Sequence, residues 1–301
     1  MGISLYKIKK WYQMLTGQSI AHVNQKEGAF YSKDEVAGYY NDLTEKVTKS
    51  EADVLVPKSR VDNGEEIFFS IGIFQYGLGA YDLYLSTGDE AYKEKLLACA
   101  DWAVENQQES GGFITFEFEN PEAPYSSMAQ GEGISMLIRA YKETEDERYL
   151  RAIELAKNFM LRSVSEGGTA VYHKAEVYLY ERTDLPLILN GWIFSLWGLY
   201  DYGKFFGDES IMKTVDATVE SLKRRLRDFD NGYWSKYDEG KMICSPFYHR
   251  LHIAQLRVMY DLFGDGIFLE YAEKWEGYQN SFFLSKKAFV VKALQKIFER
   301  G

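Results

Sequence analysis

The sequence predicts a mainly α-helical toroid of about four helical hairpins, with β-prone loops at one mouth and a short N-terminal arm. Three observations predict it: a repeat of about sixty residues, an Asp-terminated turn inside each repeat, and long glycine-rich links between repeats. Aligning Phe74, Ile134, Ile193 and Ile253 gives steps of 60, 59 and 60 residues, and a tyrosine follows seven residues after each, at Tyr81, Tyr141, Tyr200 and Tyr260. Between them stand Gly77/Leu78, Leu137/Ile138, Leu196/Trp197 and Leu256/Arg257. This i, i+3, i+4, i+7 spacing marks one face of a helix.

Taken in order, residues 1–65 form the arm, which packs on a toroid spanning residues 66–301. The arm carries one amphipathic helical stretch, Leu5 to Leu15, and Tyr39 to Thr44 reads as a packing strap rather than a site wall. Each first helix of a repeat closes in a turn: Gly88-Asp89, Glu145-Asp146, Gly207-Asp208 and Gly264-Asp265. Asp there is an N-cap, its carboxylate accepting an orphan N–H and opposing the positive end of the helix dipole. Apolar residues three and seven positions later (Tyr92/Leu96, Tyr149/Ile153, Ile211/Val215, Phe268/Ala272) start a second helix in the same phase. A period near sixty exceeds the ~20 to 50 residues of solenoids, so a closed toroid fits better.

The links, residues 107–129, 163–188 and 229–249, emerge at one mouth, and long loops of this kind usually carry function. Val171 to Tyr180 alternates as a strand would. At the C-terminus, Phe289, Leu294 and Phe298 run beside Lys286, Lys287, Lys292, Lys296 and Arg300. This basic amphipathic helix reads first as a terminal cap with solvated lysines and second as a peripheral contact for an anionic membrane.

Composition bounds the chemistry. With 46% hydrophobic and 27% charged residues the chain is a globular protein with a substantial core. A net charge of −10 opposes general nucleic-acid binding, which needs a broad basic face. The only cysteines, Cys99 and Cys244, form no disulfide framework and suit a reducing, cytoplasmic compartment. Lys7, Lys9 and Lys10 are not followed by the apolar run of a signal peptide. The sequence fixes no oligomeric state, and a homodimer is compatible with it.

Neither a phosphate-binding glycine loop, a zinc-spaced Cys/His set nor a nucleophile elbow is present, so no cofactor is expected. His249 and His252 are three apart, but no acidic neighbour in that segment completes a metal site. No metal is expected, and a substrate-facing role is preferred for both. Tyrosines recur at the mouths of the repeats, at Tyr125, Tyr180, Tyr237 and Tyr248, accompanied by Gln130, Asn190 and Arg250. Phenols and amides beside rings suit a polyhydroxylated sugar, and Arg250 could take a carboxylate bidentately.

Several segments together resemble a known family. They are Tyr125 to Gly131, Leu189-Asn190-Gly191-Trp192 running into Leu196 to Asp201, Tyr248-His249, and His252 to Leu256. Gln75 to Leu78 and the run from Asn106-Gln107 to Gly111-Gly112-Phe113 fit as well. Over roughly residues 35–280 the chain resembles the C-terminal domain of the heparosan-type D-glucuronyl C5-epimerases. The resemblance implies an incomplete (α/α) toroid that converts D-glucuronic acid residues of a polysaccharide into L-iduronic acid. It also implies that Tyr180 and Tyr248 are an opposed acid/base pair, with Tyr237 as the third catalytic tyrosine. The family's glutamate before the first of these tyrosines is Leu179 here, and its arginine after the Tyr-Asp pair is replaced by Glu239-Gly240-Lys241.

The chemistry asks for more. A proton α to a carboxylate is weakly acidic, so positive charge must meet the enediolate, and Arg250, His249, Lys241 and Arg182 are the candidates. A tyrosine acting as base at neutral pH needs its pKa lowered by a cation. The rivals are a uronate polysaccharide lyase or hydrolase on the same fold, and a catalytically silent uronate-binding protein.

Overall fold

The structure is a computed structural model that describes Val23, residues 25–61 and residues 64–298. The stretch from Leu5 to Leu15, with Lys7, Lys9 and Lys10, lies outside the described residues. After a short helix α1 (Thr44–Thr48) and a small antiparallel pair, β1 (Ser59–Arg60) with β2 (Glu66–Ile67), four helical hairpins follow. They are α2 (Ser70–Thr87) with α3 (Glu90–Asn106), α4 (Ser127–Thr144) with α5 (Glu147–Leu161), α6 (Leu189–Phe206) with α7 (Glu209–Arg225), and α8 (Pro246–Phe263) with α9 (Gly266–Asn280). A last helix, α10 (Phe282–Phe298), closes the described chain.

The four hairpins form an incomplete (α/α) toroid. The first helices pack side by side as an inner ring, α2 on α4, α4 on α6 and α6 on α8, and each second helix lies outside its own partner. Their sequences explain the layering. From Leu189 to Gly203 every residue of α6 is buried, as an inner helix surrounded by protein requires. Outer α7 buries only Ile211, Val215, Thr218, Val219, Ser221 and Leu222, a single stripe.

All four interhelical turns use the expected device. The carboxylates of Asp89, Asp146, Asp208 and Asp265 accept from the backbone N–H of Ala91, Arg148, Ser210 and Ile267, respectively. Just before each Asp the chain turns left-handed, with φ of 69° at Gly88, 63° at Gly207 and 72° at Gly264. Glu145 takes that position at φ 56° and carries the steric cost that glycine avoids. The run from Val171 to Tyr180 departs from the single strand expected. Lys174 is left-handed at φ 56°, so the chain folds back as a hairpin of β3 (Ala170–His173) and β4 (Glu176–Leu179).

Where α4 and α6 cross, no side chain fits between the backbones. A Cβ on Gly198 would stand 2.3 Å from Gly131 Cα. Near their C-terminal halves the inner helices are plugged by the arm. Arg139 donates to Asp201 at 2.7 Å and to the carbonyl of Gly38 at 2.8 Å, Tyr40 donates to Asp201 at 2.6 Å, and the Tyr39 N–H donates to Asp82 at 2.9 Å. The segment around Tyr39 is therefore a packing strap, and it leaves the N-terminal ends of the inner helices as the free mouth.

Two substitutions test this frame by denaturant unfolding. Glu145→Gly is expected to raise stability by about 1 kcal/mol by relieving the left-handed strain. Gly198→Ala is expected to lower it by about 3 kcal/mol, because the added methyl meets backbone that cannot rotate away.

Candidate active site

A cavity of about 410 Å³ opens at the N-terminal ends of the inner helices. Gln75, Met128, Asn190, Phe194, Phe247 and Tyr248 reach it from α2, α4, α6 and α8; Glu181, Arg182 and Tyr237 come from the links, and Gln25 and Lys46 from the arm. Apolar rings beside a few convergent polar groups are what a small-ligand site requires.

The link after β4 places Glu181. The Tyr180 N–H donates to Thr169 O at 2.9 Å and its carbonyl accepts from Ser127 N at 3.1 Å, so the backbone is held on both sides. Arg182 is clamped by Asp184, at 2.9 Å, and by Glu119, and lies over the Phe116 ring with its guanidinium carbon 4.6 Å from the centroid. Between these anchors the Glu181 carboxyl rests against Gly191, where a Cβ would stand 2.1 Å from Oε2. It is buried, and Oε2 has no hydrogen-bond partner. Burial pushes this carboxyl up to about 7, against the pull of Arg182.

Facing it are two phenols. Tyr237 is pinned to the start of α6, its carbonyl accepting from Leu189 N at 3.3 Å, and its ring meets Tyr248 edge-on with centroids 4.9 Å apart. Part of each ring stays open, yet burial of the hydroxyls and the nearby Glu181 charge push both phenols well above their usual range. Both are neutral proton donors at pH 7, the opposite of the lowered tyrosine that the sequence led one to expect. The Glu181 charge acts on both, and it raises them.

On the inner wall Gln75 donates to Glu132 at 2.8 Å. Glu132 is fully buried, with its other oxygen unpartnered and its carboxyl raised well above the ordinary range by burial. Lys46, also buried, is lowered to about 8 by desolvation, which the Glu132 charge partly opposes. The unpartnered oxygens of Gln25, Glu181 and Asn190 are all acceptors when the carboxyl is ionised. They match a ligand rich in hydroxyl donors.

Of the residues singled out from sequence, Tyr237, Tyr248, Asn190 and Arg182 line this cavity. Tyr180 does not: it lines a second cavity of about 390 Å³ with His173, Glu176, Arg225 and Glu239. Tyr125 packs edge-on against Phe159, centroids 4.6 Å apart. The Gln130 amide braces the preceding link, donating to Gly111 O at 3.2 Å and accepting from Phe113 N at 2.8 Å. His249 lies flat on Trp234, ring centroids 3.6 Å apart, between Ser235 and the carbonyl of Trp275. His252 is buried beside Cys244. Burial depresses both imidazoles to about 3, so neither carries charge toward a substrate. Arg250 sits on the exposed side of α8, outside the cavity lining. A substrate-facing role for His249, His252 and Arg250 is thus replaced by a structural one for the imidazoles and a solvent-facing one for the guanidinium. Among the described residues no group of three or more His, Cys, Asp or Glu is arranged to hold a metal ion.

Glu181 and Lys46 are the groups that sequence reasoning missed as site residues. Glu181 directly follows Tyr180, and the alternation of an extended chain was the available signal. Lys46 gave none, because its place depends on where the strap is seated.

Comparison with known proteins bears on this cavity. The profile of the family described as D-glucuronyl C5-epimerase C-terminus matches residues 105–277. A D-glucuronyl C5-epimerase of Caenorhabditis elegans is 29% identical over 218 residues, covering 63% of this chain and 35% of the relative. An uncharacterized protein of Methanocaldococcus jannaschii is 32% identical over 155 residues, covering 50% of each. The chain therefore spans a third to a half of the length of these curated relatives. Among solved structures, UGL with dGlcA-Glc-Rha-Glc superposes with a TM-score of 0.51 at 15% identity, covering 78% of this chain and 66% of that chain. That likeness speaks for the fold alone.

Gly191→Ala is expected to drive the Glu181 carboxyl off its seat while α6 stays folded. Carboxyl NMR titration checks this: the signal near pH 7 should move toward the ordinary value of about 4.3 as the group gains solvent.

Proposed function

The chain belongs to the family of D-glucuronyl C5-epimerase C-termini, and on that premise we propose that its cavity inverts C5 of D-glucuronic acid residues in a polysaccharide, giving L-iduronic acid. The observation that carries the reading is the meeting of one carboxyl raised to about 7 with two neutral phenols in one cavity. Inversion at a carbon needs a base on one face and an acid on the other. Ionised Glu181 takes the C5 proton, breaking C–H and leaving the electron pair in the enediolate of the uronate carboxylate. The Tyr248 hydroxyl then gives its proton to the opposite face of C5. Tyr237, hydrogen-bonded to Tyr248, steadies the phenolate so formed, and exchange with solvent returns the proton from Glu181 to Tyr248. One proton leaves C5 and one arrives, so the step balances without an oxidant. Lys46 supplies positive charge for the uronate carboxylate, and the acceptor oxygens of Gln25 and Asn190 receive sugar hydroxyls.

A base whose pKa lies near the working pH is efficient, which a free phenol near ~10 is not. This favours Glu181 over Tyr180 as partner of Tyr248. A second reading, cleavage of the glycosidic bond, has one observation behind it: Glu132 and Glu181 are both raised by burial and the Glu181 charge raises Glu132 further, and cleavage uses paired carboxyls.

The reaction is read by NMR after incubation with glucuronate polymers in D₂O. Deuterium at C5 together with iduronate is the expected result; new reducing ends or an unsaturated product in its place would move the assignment to cleavage. Glu181→Gln and Tyr248→Phe are each expected to lose at least about 100-fold in rate, and Tyr180→Phe less than about threefold. Wild-type rates for Glu181→Gln would end this account of the base. Activity should rise with pH through about 7, as Glu181 ionises, and fall above about 8, as Lys46 loses its proton.

A further inference from the structure

The last helix has two unlike faces. Its inner side, through Ala288 and Val291, covers the small cluster of Trp234, Ile243 and Cys244, which also touches Tyr237 and Tyr248. Gln295 fastens it there, donating to Lys241 O at 2.8 Å and accepting from Ile243 N at 3.1 Å. The outer side is open: Phe282 is 68% exposed, Phe283 82%, Val290 55% and Leu294 45%. At about 3.6 residues per turn, Phe282, Phe283, Lys286, Phe289, Val290 and Leu294 share one face. Two rings this exposed at the start of a helix, continued by three further apolar side chains, form the kind of apolar patch that marks an interaction site.

Charge identifies the partner. Residues 282–298 contain four lysines and no acidic residue, in a chain whose net charge is −10. Lys286 lies within the exposed face and Lys287 at its edge, where its ammonium stands over the Tyr233 ring, 3.9 Å from the centroid. Cations beside an apolar face suit a surface that is apolar inside and anionic outside, with lysines reaching the headgroups while rings enter the acyl boundary. An acidic protein groove would match the lysines but not the aliphatic and aromatic depth. Among the described residues no helix is long and apolar enough to cross a membrane, so α10 can lie on a bilayer without spanning it.

We propose that α10 is an interfacial anchor that docks the protein on an anionic lipid surface, through Phe282, Phe283, Phe289 and Val290 with Lys286 and Lys287 at the headgroups. The proposal is independent of the reaction assigned to the cavity. It is tested by sedimenting the full chain with vesicles of phosphatidylcholine alone and with vesicles containing about one third phosphatidylglycerol. Binding is expected to the anionic vesicles only, weakening as salt is raised. The charge reversal Lys286→Glu with Lys287→Glu should weaken it by more than about tenfold, since each lysine near such a surface contributes about fivefold. Phe283→Asp with Val290→Asp should abolish it and leave the melting temperature unchanged. No binding to anionic vesicles, or equal binding by the double aspartate variant, would overturn the proposal. So would a dimer in size-exclusion chromatography that the aspartates convert to monomer, which assigns the face to a second copy. A melting temperature lowered by several degrees would likewise overturn it, by showing that the face is covered within the molecule.

Discussion

The backbone contact between α4 and α6 sets the geometry on which the cavity depends. Because Gly131 and Gly198 let the two helices touch without intervening side chains, Ser195 of α6 comes within 2.7 Å of Ser127 at the start of α4 and donates to it. Ser127 in turn uses its own N–H to hold the carbonyl of Tyr180. That bond fixes the end of the β3–β4 link, and with it the Glu181 carboxyl against Gly191. Three glycines, each required by a close approach rather than by a turn, thus act in series on one carboxyl. A methyl group on Gly198 would be felt at the site even though the backbone it meets, that of Gly131, lies outside the cavity lining.

Burial does two different jobs at the two ends of the inner ring. At the plugged end Arg139 and Asp201 are both fully buried and directly paired, with Tyr40 supplying a further hydrogen bond to Asp201. A buried pair satisfied in this way is stable mainly because breaking it would strand a charge. At the open end burial dominates. Glu181 and Lys46 are desolvated, so the carboxyl rises to about 7 and the amine falls to about 8. The same desolvation keeps the Tyr237 and Tyr248 phenols protonated. The strap that closes one end therefore also lends its next residues, through Lys46, to the electrostatics of the other.

Much of the fold was legible because its signals are local. The sixty-residue phase and the four Asp caps report on neighbours within one hairpin, and all four caps form as the spacing implied. The resemblance also led to Tyr237, Tyr248 and Asn190, which meet in the cavity. The stretch from His249 to His252 misled for a physical reason. Imidazoles look alike in a sequence whether they face a substrate or a tryptophan, and His249 is buried by Trp234 and Trp275, the latter 26 residues away. Arg250, next to it on the helix, is turned outward by about 100°. Only the angular position of a residue on an assembled helix separates these cases.

The pair Tyr180-Glu181 shows how small the missing information was. In an extended segment successive side chains face opposite ways, so a shift of one position exchanges what points inward. Two short stretches of the site wall follow that rule together. Tyr180 and Leu187 face the second cavity, whereas Glu181 and Ile188 face the first, and the bridge between Ile188 and Asp238 ties the second of them to the link that carries Tyr237. The family resemblance sets a glutamate before its tyrosine, and this chain sets one after. Alternation turns that change of order into a change of chemistry: where a phenol was expected to meet Tyr248, a carboxyl stands. A carboxyl that titrates near 7 can hold or release a proton at neutral pH, which a buried phenol cannot, so under the proposed function the departure in sequence relocates the base without emptying the site.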